Sequence, residues 1–479
     1  MNIQRSNQIN KRLSFVFGDR EYFRRLFNIG IPIVLQQLVT SSLNLVGQVM
    51  IGQLGEVAVA SVGLANQIFF LLSLLLFGIT SGLAIFTAQF WGASDEENIH
   101  RVQGLAILLG LMASTLFFLA SQFFPEALMG IYSQDPAVVS MGGQYLRVFG
   151  WSFLFFSVQF SYALILRTVG QARLPMVVSI FALSLNVVVS YLLIFGVGPL
   201  PAFGVMGAAA GILISRIVEC AVLLLLAYRL NTPVAASISQ LLDIDMGLIK
   251  RVMPSAWPVA LNELLWSWGI TTYNIIYARI STESIAAVNI AAAIDQMAFV
   301  LFSGIAHGTS VLVGNWIGAG DHDQAYKYAG RSMIISFTVA LLMGGLVLLM
   351  SPVILSWYKV SPEVLENARK ILIVVAAFMW LRAMNIVLIL GVFRSGGDTR
   401  FGLFLDGIII WILGVPLAYL AAFWLHLPVY LVYVFVMSEE ITKFVLGTRR
   451  YLTKRWIHNL ANPIEANPVV VLNIDGQLD

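Results

Sequence analysis

Pro32-Ile33-Val34-Leu35-Gln36-Gln37-Leu38-Val39-Thr40-Ser41 and Pro258-Val259-Ala260-Leu261-Asn262-Glu263-Leu264-Leu265-Trp266-Ser267 are the two stretches on which the fold turns. The second stands 226 residues after the first, so that Pro32 meets Pro258, Gln37 meets Glu263, Ser41 meets Ser267 and, further along, Gln48 meets Asn274. The same offset carries Trp91-Gly92-Ala93-Ser94-Asp95 onto Ile317-Gly318-Ala319-Gly320-Asp321. At an offset of 227, Arg167-Thr168-Val169-Gly170-Gln171-Ala172-Arg173 meets Arg394-Ser395-Gly396-Gly397-Asp398-Thr399-Arg400. One register kept at three separated places marks a chain built as two copies of one plan.

Both stretches lie in long apolar runs. Hydrophobic residues make up 59% of the 479 residues and charged residues 11%, with a mean hydropathy of +0.85. A soluble domain averages about 45–50% apolar and about 25% charged, so lipid must solvate much of this chain. The formal net charge is +3, and no basic, aromatic-interleaved patch argues for a nucleic-acid partner. Cys220 is the single cysteine, which excludes a disulfide framework and a cysteine-based metal site. The early basic residues, Arg5, Lys11, Arg12, Arg20, Arg24 and Arg25, lead straight into a long apolar run, so no removable signal peptide is expected.

A membrane-crossing helix needs about 20 mostly apolar residues. Twelve such runs begin near Leu26, Val59, Val102, Met141, Met176, Gly204, Leu248, Ser284, Arg331, Ala368, Phe401 and Val429. The expected fold is an all-α membrane protein whose twelve transmembrane helices form two six-helix bundles. Six runs per copy put both copies in the same orientation, a parallel repeat of the kind transporters use to rock two bundles about a site between them. The divisions are a cytoplasmic segment 1–25, a first lobe 26–230, a linker 231–247 with an amphipathic stretch near Leu241, a second lobe 248–450 and a cytoplasmic tail 451–479.

Lys- and Arg-rich loops stay in the cytoplasm. Alternate loops hold Arg24 and Arg25; Arg101; Arg167 and Arg173; Arg229, Lys250 and Arg251; Lys327 and Arg331; Arg394 and Arg400; and Arg449, Arg450, Lys454 and Arg455. The intervening loops around Glu126 and Asp135, and from Gly196 to Phe203, hold none; Lys359, Arg369 and Lys370 dilute the pattern. Both termini are therefore predicted cytoplasmic, in a multi-pass protein of the plasma (inner) membrane.

A charge inside a span costs about 2.5–3.5 kcal/mol on insertion scales and so calls for a reason. Glu263, Asp295, Arg382 and Asp406 lie well inside runs, all in the second half. Arg382 is expected to pair with Glu263, Asp295 or Asp406. Arg216 and Glu219, three apart, can pair on one helix face as a structural element. His307 is a candidate titrating group, set against the plainer role of a packed, hydrogen-bonded residue. Glu263, Ser267 and Asn274 share one helix face, as do Gln37, Ser41, Asn44 and Gln48. Stripes at equivalent positions suggest two faces of one central cavity; helix–helix hydrogen bonding by amides and hydroxyls is the alternative. Asn262, beside Glu263, joins the candidate set.

A buried carboxylate can take a proton or a sodium ion while facing one side of the membrane and lose it facing the other, because burial raises its pKa and a nearby cation lowers it. No Walker A sequence, metalloprotease motif or nucleophile elbow is present. No enzyme activity and no cofactor are expected, and energy must come from an ion gradient or a partner.

The loop Phe393 to Arg400, its counterpart Arg167 to Pro175, Gly204-Val205-Met206-Gly207-Ala208-Ala209-Ala210, Ile31-Pro32 with its glutamines, and Val313-Gly314-Asn315-Trp316-Ile317-Gly318-Ala319-Gly320 together resemble the multidrug and toxic compound extrusion (MATE) family, from about Leu26 to Arg450. The resemblance implies a V-shaped pair of bundles and antiport of sodium ions or protons against organic, mostly cationic compounds and drugs, by a single chain. It puts the coupling glutamate of span seven at Glu263, with Asp295 as the second carboxylate of a candidate sodium pair. Gln48 stands where many members carry aspartate, and Arg382, Met384 and Asn385 where some carry one. Coupling is therefore expected in the second lobe. A flippase for lipid-linked oligosaccharides, from the same wider superfamily, is the alternative; it would want cationic cavity residues, of which Arg382 is the one evident candidate. A non-transporting scaffold predicts no cost from Glu263→Gln, and a membrane-embedded enzyme lacks a visible catalytic constellation.

Overall fold

The structure, a computed structural model, describes residues 19–198 and 201–461; Arg5, Lys11, Arg12, Pro199 and most of the expected tail lie outside them. The long helices are α1 (Arg20–Gly52), α2 (Glu56–Gly92), α3 (Glu96–Phe123), α4 (Pro136–Phe149 and Trp151–Thr168), α5 (Arg173–Phe195), α6 (Val205–Arg229), α7 (Met246–Ile280), α8 (Thr282–Gly318), α9 (His322–Leu355), α10 (Pro362–Arg394), α11 (Thr399–Trp424) and α12 (Val429–Leu452). The two parts of α4 meet at 47°. Short helices follow α3 (Pro125–Gly130) and occupy the linker (Ile238–Leu242), where the amphipathic stretch near Leu241 is expected.

Among the described residues nine helices are long and apolar enough to cross a membrane, ten with bent α4. The two that fall short are α7, which holds Pro254, Pro258 and Glu263, and α12, which holds Glu439, Glu440 and Lys443. These two helices of the second lobe carry the buried Glu263, Glu439 and Lys443.

The helices begin up to nine residues ahead of the apolar runs. A helix needs partners for its first amide groups, and polar residues that supply them fall outside an apolar window. Asp95 accepts from Asn98 N at 3.1 Å, Asp321 from Gln324 N at 2.9 Å and Ser361 from Val364 N at 3.4 Å.

The repeat recurs in the backbone. Ser94 N and Asp95 N donate to Trp91 O and Phe90 O, and Gly320 N and Asp321 N donate to Ile317 O and Trp316 O. After α4, Gly170 N and Gln171 N close on Arg167 O and Leu166 O; after α10, Gly397 N and Asp398 N close on Arg394 O and Phe393 O. Each is a Schellman end. Gly170 and Gly397 have φ of 81° and 78°, which a side chain would strain. The offset between halves grows by one residue before this loop, and Val387–Arg394 winds as a π-helix. A π turn takes up one residue more than an α turn, which lets Arg394 keep the place in its lobe that Arg167 has in the other.

Four apolar cores show how the lobes sit. One lies wholly in the first lobe, from Met50 to Ala209, and one wholly in the second, from Tyr273 to Met437. The other two are shared. Tyr22, Leu26, Ile29 and Ile33 of α1 pack with Ala306 to Ile317 of α8 and Val387 to Phe393 of α10; Leu83 to Phe90 of α2 pack with Leu248 to Val259 of α7. Both shared cores lie at the face where α1 begins and α12 ends. The lobes are joined along this termini face and have separate cores away from it.

The joint is close because small residues line it. A Cβ on Gly82 would lie 2.7 Å from Ala256 Cα, one on Gly78 2.9 Å from Ala260 Cα, and one on Gly30 3.0 Å from Gly304 O. Small residues let membrane helices approach at backbone distance. Asp19, ahead of α1, adds a 2.5 Å ion pair to Arg331 of α9. Partial burial disfavours its charge, but the Tyr22 amide and the Arg331 guanidinium outweigh that and hold its carboxyl below the usual range.

The chain after α12 straps the joint. Trp456 is fully buried, Ile457 bridges to Gly397, and His458 N donates to Gly396 O at 2.9 Å. Gln89 of α2 donates to Ser395 O at 2.8 Å and to His458 O at 3.1 Å, and accepts from Leu460 N at 2.6 Å. Arg251 of α7 donates to Leu460 O, and to Ala461 O at 2.7 Å.

Gly82→Leu is expected to hold the joint apart. A cysteine placed at Ala88, which packs on Gly314, should then react several-fold faster with a membrane-impermeant thiol reagent in a Cys220→Ser background. Unchanged labelling would mean that the lobes do not meet there.

Candidate functional site

Glu263 is buried on α7, and its Oε1 lies 2.5 Å from Arg394 Nη2. Arg394 stands on the last turn of the π-helix of α10, is itself buried, and its Nη1 donates to Ser81 Oγ of α2 at 3.3 Å. One guanidinium therefore joins a carboxylate of its own lobe to a hydroxyl of the other. Reading Arg394 as a loop residue is corrected here: the extra residue of the π turn keeps it within the helix. Arg382 does not reach Glu263; its Nη1 lies 2.6 Å from Asp295 Oδ2, pairing α10 with α8. Glu263 and Asp295 thus each have their own arginine.

Asn262, one residue before Glu263, faces a different neighbour. Its Nδ2 donates to Asp406 Oδ2 of α11 at 3.1 Å. Asp406 Oδ1 is 3.3 Å from Lys443 Nζ of α12, which also lies 3.2 Å from Glu439 Oε1 and 3.7 Å from Glu440 Oε1. Tyr273 donates to Glu439 Oε2 at 2.8 Å, and Asn385 Nδ2 to Glu440 Oε2 at 2.7 Å. Three carboxylates share one lysine in the interior of the second lobe. Glu439, Glu440 and Lys443 were not among the candidates from sequence. Their signal was available: three charges within five residues, with Lys443 three and four places after the glutamates, where a pair can form on one face. Span twelve ends in Arg449 and Arg450, which blurred its polar end.

The first lobe holds less charge at depth. Arg216 and Glu219 pair at 2.7 Å as expected, and Glu219 also accepts from Gln159 at 3.1 Å and Ser179 at 2.7 Å. A carboxylate with this many partners is tied down. Gln37, Ser41, Asn44 and Gln48 are exposed along α1, as Asn274 is on α7, outside the shared cores. They do not join the second-lobe charges.

Between the lobes, beneath the joint, is a cavity of about 50 Å³. Its lining includes Ser81, Arg167, Thr168, His307, Ser310 and Arg394 among apolar side chains. Arg167 and Arg394, equivalent in the repeat, face this one space. Among the described residues no three His, Cys, Asp or Glu side chains form a metal-binding group. The carboxylates are engaged with arginine, lysine, amides and tyrosine, an arrangement suited to exchanging a proton or a monovalent ion against a resident cationic side chain.

Known proteins agree with this plan. The MatE family model matches twice, over residues 32–192 and 258–420, once in each lobe. The "Uncharacterized transporter YisQ" of Bacillus subtilis is 23% identical over 90% of this chain and 94% of its own. The "Probable multidrug resistance protein NorM" of Thermotoga maritima is 20% identical, covering 91% and 93%. Among solved structures, the MATE transporter VcmN of Vibrio cholerae superposes with a TM-score of 0.82 at 17% identity, covering 92% of this chain and 98% of the other. With both lobes matched by that model and twelve helices arranged as two joined bundles, the chain belongs to the MatE family of membrane transporters, and it is not an enzyme.

Proposed function

We propose that this transporter exports organic, mostly cationic compounds across the plasma (inner) membrane in exchange for protons or sodium ions, working as a single chain. The observation that carries the reading is the charge of the second-lobe interior. Five carboxylates (Glu263, Asp295, Asp406, Glu439 and Glu440) meet three bases (Arg382, Arg394 and Lys443). A surplus of acid at depth is costly unless a cation neutralises it. Protons, sodium ions or a cationic substrate can each do so. Exchange follows if each binds the two states of the transporter differently.

Glu263 is the proposed coupling residue. When it takes a proton or a sodium ion, Arg394 loses its partner, the contact to Ser81 weakens, and the termini face is freed to open. Basic loops at that face support a cytoplasmic assignment for it, so the joined state faces outward. A membrane potential adds about 2.3 kcal/mol per charge per 100 mV to an exchange that moves net charge. The multidrug names of the relatives favour export over flipping of a lipid-linked sugar.

The test is reconstitution. Liposomes holding the purified protein should accumulate or release a fluorescent organic cation when a proton or a sodium gradient is imposed separately. Movement under one gradient names the ion. No movement under either, from protein that still unfolds cooperatively, would overturn the proposal.

A further inference from the structure

Among the described residues Arg394 has a carboxylate partner and its repeat counterpart Arg167 has none. Counting back 226 residues from Glu263 arrives at Gln37, so the first half has an amide where the second has an acid. Arg167 Nη2 donates instead to Gln36 Oε1 at 2.9 Å, and its Nε is buried with no partner. The cavity between the lobes is bordered by both guanidinium groups, by His307 and by the hydroxyls of Ser81, Thr168 and Ser310. Among the described residues the charges at it are two guanidinium groups, with Glu263 paired to one of them, so the space carries one positive charge in excess. A guanidinium has five donors and cannot shed its proton to relieve burial. Among the described residues no carboxylate pairs with Arg167, which leaves room for a partner from solution.

We propose that the cavity is a site for one small anion, of chloride or carboxylate size, held between Arg167 and Arg394 where the lobes join. The volume of about 50 Å³ is three to five times the roughly 10–15 Å³ that one water requires on this measure. It fits a halide or a carboxylate group with a water. The chemistry fits as well: guanidinium fork, hydroxyl donors and apolar walls strengthen a charge-assisted bond. Arg167 belongs to the first lobe and Arg394, with its bond to Ser81, spans both. An anion seated between them bridges the lobes and favours the joined state. This inference concerns the counter-ion of the joint and stands apart from the identity of the exported compound or the coupling ion.

The test uses full-length protein in detergent, with thermal unfolding as a readout that does not depend on transport. Chloride, bromide and acetate are titrated at constant ionic strength against gluconate, a bulkier and more heavily hydrated reference anion. Wild type should gain stability saturably with the small anions. Stabilisation by halides and acetate alike would mark a general small-anion site; stabilisation by acetate alone would mark one built for the carboxylate of a solute; either supports the proposal. Arg167→Gln should weaken the apparent affinity about tenfold or more, the scale of one lost charge-assisted bond. Gln36→Glu supplies a carboxylate beside Arg167 and should abolish the anion response while leaving the protein folded. That variant keeps the test decisive if Arg167→Gln does not fold. No small-anion response in wild type, or a response that persists unchanged in Gln36→Glu, would overturn the inference.

Discussion

Glu263→Gln is expected to stop ion-driven efflux of an organic cation and to lower the stability of the purified protein by about 3–5 kcal/mol, the cost of leaving one member of a buried pair uncompensated. The amide still accepts a hydrogen bond from Arg394, but it no longer neutralises a guanidinium 2.5 Å away. Two measurements separate the effects. Adding Arg394→Met to Glu263→Gln removes the stranded charge, so the melting temperature should recover substantially, while transport should not, since the coupling carboxylate is still missing. A Glu263→Gln protein that transports at wild-type rate would move coupling to Asp295 or to the carboxylates around Lys443.

Lys443→Met should be the more damaging substitution for folding. It removes the cation between Asp406, Glu439 and Glu440, leaving three acids at close quarters inside a bundle. Loss of one buried partner costs about 3–5 kcal/mol, and mutual repulsion of the remaining acids adds to it. Glu439→Gln in the Lys443→Met background should recover part of the loss, because it removes one of the crowded charges while the amide oxygen can still accept from Tyr273. Denaturation in detergent, followed by intrinsic fluorescence, reads both variants. A Lys443→Met protein as stable as wild type would show that the acids are already neutral without their lysine.

Much of this was legible in the sequence, for reasons that can be named. A span is mostly apolar, so composition marks its place, and the repeat offset survives because equivalent turns need equivalent glycines and caps, as at Gly170 and Gly397 or Asp95 and Asp321. Arg216 and Glu219 were readable as a pair because both lie on one helix. The pairing of Arg382 was open among three acids, since choosing Asp295 depends on how α10 packs against α8. Arg394 was hidden by its neighbours: Ser395, Gly396 and Gly397 read as a loop, and no window average reports that a π turn keeps the preceding residue within the helix. The Lys443 cluster joins α11 and α12 with partners on α7 and α10, a four-helix meeting point that linear spacing does not encode.

The strap after α12 bears on how the molecule comes to be made. Its contacts, to Gln89 of α2, Arg251 of α7 and Gly396 before α11, belong to segments that leave the ribosome before it does. A chain emerging from its N-terminus can insert all twelve helices and bring the two halves side by side while this clasp is still unsynthesised. The halves are therefore free to find their pairing through the shared cores and the Asp19–Arg331 pair before this last fastening is made.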